Sequence, residues 1–217
     1  MTDAGESRWV CLDVGETLID ETRVWTAWAD ALHITPFTFM AAFGAVLARG
    51  GQFRDVFEFV GRPDWEMYRD EVAEAYGGFQ PRDLYLDALP ALDQLHADGY
   101  RLAIVANQPA ERTAELRALG VDADVMAMSG ELGQYKPATE FFARTLELLG
   151  APANDVAYVG DRLDNDIGPA AAAGMRPVWL RRGPWALIVD QPPPAGTLVV
   201  DSLTELAQRI GECWVHG

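Results

Sequence analysis

From residue 78 onward the chain alternates short apolar runs with amphipathic segments, and this alternation constrains the fold more than any other feature. The runs are RLAIVA (101–106), VMAM (125–128), VAYV (156–159), PVWL (177–180) and LVV (198–200). Between them, residues 88–97, 110–119, 139–149 and 165–173 carry apolar side chains at helical spacing, with Gly99, Gly120, Gly150 and Gly174 just beyond. Glycine past the end of a periodic segment is a helix stop, because a left-handed residue closes the last turn there. Strands alternating with such helices give βαβ units and hence a parallel sheet. One earlier run, WVCL (9–12), belongs with these; it ends in Asp13 and is broken by Gly15. Ser202 opens a last helix with Glu205 three residues on, a capping-box pattern.

Residues 20–80 have a different character. Trp25, Trp28, Ala29 and Leu32 recur at helical spacing, as do Phe39, Phe43, Val46 and Leu47. Two more segments hold Val56, Phe57 and Val60, then Met67, Val72, Ala73 and Tyr76; Pro36, Gly50-Gly51, Gly61-Arg62-Pro63 and Gly77-Gly78 punctuate them. No strand pattern interrupts the stretch. The expected fold class is α/β: a Rossmann-like parallel sheet flanked by helices, with a small all-helical cap inserted after the first strand. The expected domains are a core of residues 1–19 and 81–217 and a cap of residues 20–80.

Charge narrows the choice of partners. Lys and Arg number 17 against 33 Asp and Glu, a formal net charge of −16. Such a surface repels nucleic acid and anionic membrane. A small anionic substrate stays compatible with it if a local lysine or cation reverses the field inside a cleft. No apolar run is long enough to span a bilayer, and the polar start MTDAGESR is expected to be a frayed tail over residues 1–7. Cys11 and Cys213, the two cysteines, fit a reducing, cytoplasmic setting. The expected state is a monomer or homodimer.

In open parallel sheets, ligands bind beyond the carboxyl ends of the strands. The first strand is followed by Asp13-Val14-Gly15-Glu16-Thr17, and RLAIVA by Asn107-Gln108. VMAM is followed by a loop carrying Lys136-Pro137, and VAYV by Gly160-Asp161-Arg162-Leu163-Asp164-Asn165-Asp166. Three carboxylates and one lysine therefore converge on one sheet edge. A lone Asp at a strand end is ordinarily a turn former; the ordered recurrence of four such features makes a shared site the better reading.

These residues, in this order, resemble the haloacid dehalogenase-like (HAD) hydrolase superfamily along nearly the whole chain. The resemblance implies a phosphatase of a small phosphorylated metabolite, with Asp13 as the nucleophile that forms an aspartyl-phosphate. It implies Mg²⁺ bound by Asp13, the backbone carbonyl of Gly15 and Asp161, with Asp166 supporting the site or reaching the metal through water. Lys136 would orient Asp13 and screen the phosphate, while Thr17 and Asn107 would hydrogen-bond the loop or the phosphoryl oxygens.

Two departures stand out. The family places a second Asp, its general acid/base, two residues after the nucleophile; here that residue is Gly15. Proton transfer typically contributes about 10²–10⁴-fold, so alkyl esters should turn over slowly; Glu16 is the candidate substitute, but its loop is expected to aim it elsewhere. Ala106-Asn107 also stands where the family usually carries Ser or Thr. The alternatives are a catalytically weak or inactive relative that binds a ligand or a protein, and a metal-independent 2-haloacid dehalogenase, to which Asp161 and Asp166 would be useless. Trp25 and Trp28 read as packing within the cap, Cys11 as a core thiol, and His33, His96 and His216 as structural or exposed. Arg23, Arg54 and Arg62 either face an anionic substrate or pair with nearby carboxylates.

Overall fold

A computed structural model describes residues 8–215; the expected tail over residues 1–7 and His216 lie outside them. The elements run β1 (Trp9–Leu12), α1 (Thr22–Ala31), α2 (Pro36–Leu47), α3 (Asp55–Phe59), α4 (Arg69–Tyr76), α5 (Ala88–Ala97), β2 (Arg101–Ala106), α6 (Arg112–Ala118), β3 (Val125–Met128), α7 (Ser129–Leu132), α8 (Thr139–Leu149), β4 (Val156–Gly160), α9 (Gly168–Ala172), β5 (Arg176–Leu180), α10 (Gly183–Ile188), β6 (Leu198–Val200) and α11 (Leu203–Arg209). The six strands form one sheet in the order β3-β2-β1-β4-β5-β6, and every pair is parallel. The α/β sheet expected from the alternation is therefore present. The strand order reverses between β1 and β4, so the crevice beyond their carboxyl ends is the natural ligand site of such a sheet.

Alternate residues of each strand feed opposite faces. Val10, Leu12, Leu102, Ile104 and Val159 pack with Leu92, Leu95 and Leu206 on one face. Trp9, Cys11, Val105 and Tyr158 pack with Phe141 and Phe142 on the other. Burial on both faces explains why the strands read as continuous apolar runs. The Cys11 thiol is fully enclosed and its pKa is pushed far up by burial.

The helices α1 to α3 build a core of their own, in which Ala29, Leu32, Phe39, Phe43, Val56 and Phe57 are buried. Pro36 starts α2 at its first helical position, and Thr35 caps it by accepting from the Thr38 N–H. Trp28 packs against Phe57 and Trp65. One member of this cluster comes from far along the chain: Trp185 of α10.

Arg23 of α1 fastens the helical insert to its exit. Its guanidinium donates to both Asp83 carboxylate oxygens and to the backbone carbonyls of Tyr76 and Gly78. Burial raises the Asp83 carboxyl, but Arg23 and the Gln80 N–H outweigh it and leave the group below its ordinary range. A depressed carboxylate adds stability that is complete above the unfolded-state pKa and is lost as pH falls through the folded value. Arg23→Ala, which strands Asp83 in the interior, should cost about 3 kcal/mol in urea unfolding at neutral pH. It should also remove part of the wild type's loss of stability on acidification. An unchanged unfolding midpoint would show that the bridge contributes nothing.

Several segments depart from expectation. The helix expected at 165–173 is a π turn over Leu163–Ile167 followed by the shorter α9, because the Asp166 and Ile167 N–H groups both donate to the Arg162 carbonyl. Ser202 caps α11 by accepting from the Glu205 N–H, but Glu205 returns its bond to the Asp201 N–H rather than to Ser202. The short helices α7 and α10 have no counterpart in the periodicity, since neither is long enough to display it.

Candidate active site

Asp13 lies one residue beyond β1, its N–H donating to the Val159 carbonyl of β4, and this bond carries the strand register into the loop. Lys136 comes from the loop after β3. Its ammonium is enclosed and bridges Asp13 Oδ1 at 2.7 Å and Asp166 Oδ1 at 2.6 Å. Burial alone would lower the Lys136 pKa, but the two carboxylates more than offset it and hold the ammonium above its ordinary value. The Lys136 backbone is itself held by Asn107, whose amide donates to the Lys136 carbonyl at 2.9 Å and accepts its N–H at 2.8 Å. Both polar atoms of Asn107 are thus occupied in fixing the lysine loop.

Asp161 and Asp166 follow β4. Asp166 is fully buried and accepts from the Arg162 N–H at 3.0 Å. Its carboxyl lies flat against Gly160: a β-carbon there would sit 2.6 Å from the Asp166 Cγ. Glycine before Asp161 is therefore required by the close approach of Asp166, whatever chemistry the site performs. Burial raises the pKa of both aspartates; Lys136 holds Asp166 back, whereas Asp166 and Asp13 push Asp161 further.

Oxygens of Asp13, Asp161 and Asp166 all lie within 4.8 Å of one another. Asp161 Oδ2 is buried with no hydrogen-bond partner among the described residues. A buried, unpartnered carboxylate oxygen beside two more carboxylates is costly unless a cation completes it. The donor set consists of hard oxygens and fits a divalent ion such as Mg²⁺.

The cluster opens into a cavity of about 490 Å³. Its walls include Asp13, Gly15, Asn107, Lys136 and Asp161 from the sheet edge, and Trp25, Phe43, Phe53 and Arg54 from the helical insert. Arg162 joins the two sides: its guanidinium stacks over the Trp185 ring at 3.6 Å and donates to Gln52 Oε1 at 2.9 Å. Of the arginines considered from sequence, Arg54 reaches the cavity, Arg23 is spent on Asp83, and Arg62 donates to the Leu32 carbonyl. Trp25 lines the cavity while also packing on Phe43.

Of the residues singled out from sequence, Asp13, Lys136, Asp161 and Asp166 come together directly, with Gly15 and Asn107 on the same wall. Thr17 is fully buried, its hydroxyl has no partner among the described residues, and it is not among the residues lining the cavity. Glu16 also lines the cavity but is engaged: at a φ of 48° its carboxylate accepts from the Tyr85 hydroxyl at 2.6 Å and from the Glu21 N–H at 2.9 Å. Among the wall residues that sequence reasoning missed are Trp185 and Glu21. Trp185 had a weak signal in Gly183-Pro184, a helix start. Glu21 had none, because only the loop's fold brings it near Gly15. Burial pushes the Glu21 carboxyl up to about 8, with Glu16 and Asp13 adding to the shift.

The chain is similar to several known proteins. The chain is 36% identical over 102 residues to the glyceraldehyde 3-phosphate phosphatase of Methanopyrus kandleri, covering 46% of this chain and 44% of that protein. It is 26% identical over 198 residues to the protein of the same name in Pyrococcus abyssi, covering 80% and 81%. The chain spans about half the length of several curated relatives that it matches. Its fold is similar to the HAD phosphatase structure from Thermococcus onnurineus, with a TM-score of 0.62 and 24% identity over 94% of this chain and 98% of the other. The family model described as haloacid dehalogenase-like hydrolase matches residues 8–174. With a match over most of its length, the chain belongs to the haloacid dehalogenase-like hydrolase family.

Proposed function

We propose that the chain is a Mg²⁺-dependent phosphatase acting on a small phosphorylated metabolite. The observation that carries the reading is the buried lysine-bridged carboxylate cluster at the floor of the cavity, with Asp161 Oδ2 left for a cation. Phosphatase-named relatives support it.

In this reading Asp13 attacks phosphorus and carries the phosphoryl group as an aspartyl-phosphate. Lys136 fixes the attacking carboxylate and screens the incoming anion. Asp161, Asp13 and the Gly15 carbonyl would hold Mg²⁺, and Asp166 would steady both Lys136 and the loop. The bound ion would supply positive charge against the phosphoryl oxygens. Asn107 would act chiefly by holding Lys136, and Thr17 by supporting the loop from beneath. Residues 20–80 would be a cap that closes on the substrate and excludes water. The chemistry needs neither nucleic acid nor membrane, and no single described helix is long and apolar enough to cross one. A cytoplasmic monomer or homodimer remains the expected setting.

The test is turnover of a panel of small phosphomonoesters with Mg²⁺ and with EDTA. Activity lost on chelation and restored by Mg²⁺ is the expected result; EDTA-insensitive halide release from a 2-haloacid would instead favour the dehalogenase reading. A second readout needs no turnover. Mg²⁺ at a hundred times its Kd should stabilise the wild type by about 2.7 kcal/mol. In thermal melts Asp161→Asn should lose most of that gain, and an equal gain in both proteins would remove Asp161 from the ion site.

A further inference from the structure

We propose that Glu21 is the proton-transfer residue of this site, occupying the space that a side chain at position 15 would fill. The inference rests on the phosphatase reading above and adds the group that the first loop lacks.

A β-carbon built on Gly15 would lie 2.5 Å from Glu21 Oε1, 2.9 Å from its Cδ and 3.6 Å from its Cγ. Those short distances run along one carboxyl-bearing arm. The Glu21 carboxyl is therefore seated where an acidic side chain two residues after the nucleophile would begin. It shares the cavity wall with Asp13, Gly15, Lys136 and Asp161.

The local fold explains how the chain brings it there. After Asp13 the loop doubles back: the Leu18 and Ile19 N–H groups both donate to the Val14 carbonyl, and the Glu16 N–H donates to the Ile19 carbonyl at 2.7 Å. Gly15 and Ile19 thus face each other as a β-bridge. Residue 21 then stands just before α1, over the tip of the loop. Its N–H is fixed by Glu16 Oε1, and Glu16 by the Tyr85 hydroxyl. Glu16 is spent on holding Glu21 in place. Asp13, held by Lys136, is the attacking group in the phosphatase reading, and Asp161 belongs to the cation cluster. Glu21, whose carboxyl also meets the Trp25 side chain of the same wall, is the remaining carboxyl group there that faces the substrate space.

The step balances without a further reactant. Asp13 attacks phosphorus, the P–O bond to the leaving group breaks, and the leaving oxygen takes the Glu21 proton. Glu21, now a carboxylate, removes a proton from the water that attacks the aspartyl-phosphate. The P–O bond to Asp13 then breaks, which frees phosphate and restores both carboxyl groups to their starting forms. Gly15 is thereby compatible with catalysis, and an aspartate placed there would require the Glu21 carboxyl to shift.

Leaving-group dependence tests the proposal. The wild type, Asp13→Asn, Glu21→Gln, Glu21→Ala and the double variant Gly15→Asp/Glu21→Ala are assayed in Mg²⁺ with an alkyl phosphate and with p-nitrophenyl phosphate. Glu21→Gln should lose about 10²–10⁴-fold in kcat on the alkyl ester. On the aryl ester, whose leaving group needs no proton, it should give a burst of nitrophenol followed by slow turnover, because the aspartyl-phosphate then waits for water. The double variant should exceed Glu21→Ala on the alkyl ester by at least tenfold. Equal losses on both esters with no burst, or a double variant no better than Glu21→Ala, would overturn the assignment. Thermal melts of each variant separate lost chemistry from lost fold. A wild type inactive on both esters, or an active Asp13→Asn, would sink the phosphatase reading, and an outcome of that kind is distinct from failure at Glu21 alone.

Discussion

Asp13→Asn should leave the protein folded and reduce phosphatase turnover by ~10⁴-fold or more. The carboxamide is nearly isosteric but is a poor nucleophile, so the covalent step is lost while the shape of the site survives. Stability should hold in the metal-free protein for an electrostatic reason. The change removes one of three carboxylates whose oxygens lie within 4.8 Å of one another, and Lys136 keeps its bond to Asp166. Steady-state kinetics paired with a thermal melt reads both halves. Residual turnover within tenfold of the wild type would place the nucleophile elsewhere.

Lys136→Met, by contrast, should lower stability. The Lys136 side chain is 1% exposed, and its ammonium is the counter-charge shared by Asp13 and Asp166. Methionine fills similar space but leaves the aspartates facing one another across an interior of low polarity. Removing one partner of a buried ion pair typically costs about 3–5 kcal/mol. For a chain of this size that corresponds to a fall of roughly 6–20 °C in Tm. Saturating Mg²⁺ should recover part of the fall, because a cation bound at the cluster supplies some of the missing charge. Turnover should drop by about 10²–10³-fold as well, since nothing then holds Asp13 in place or meets the phosphoryl charge. A variant that melts with the wild type would show the cluster to be solvated enough to need no lysine.

Much of this molecule was legible in its sequence, for reasons that differ from one element to the next. The strand at Arg101–Ala106 and the helix at Thr139–Leu149 were readable to the residue. After the exposed Arg101 the strand is an unbroken apolar run buried on both faces, and the helix has a strong amphipathic period closed by Gly150 at a φ of 60°. The convergence of Asp13, Lys136, Asp161 and Asp166 was readable because each follows a parallel strand, and parallel strands end on one edge. What escaped depends on how loops fold. Six residues of α10 cannot show a helical period, so Trp185 was not expected beside the insert. The first loop turns back on itself through bonds to the Val14 carbonyl, which no periodicity encodes, so Glu21 was not expected against Gly15. The family resemblance implied that Asn107 would hydrogen-bond the loop or the phosphoryl oxygens. Its amide is engaged with the Lys136 backbone, and which loop it would hold is not revealed by the order of residues along the chain.

The central claim is that the phosphoryl group passes through a covalent bond to Asp13. The direct test is to mix the wild type with Mg²⁺ and p-nitrophenyl phosphate, quench during turnover, reduce with borohydride and map the peptides by mass spectrometry. Reduction converts a phosphorylated aspartyl residue to homoserine. Homoserine at position 13, present with Mg²⁺ and absent with EDTA, is the expected result. Turnover with homoserine at another carboxylate, or at none, would contradict it.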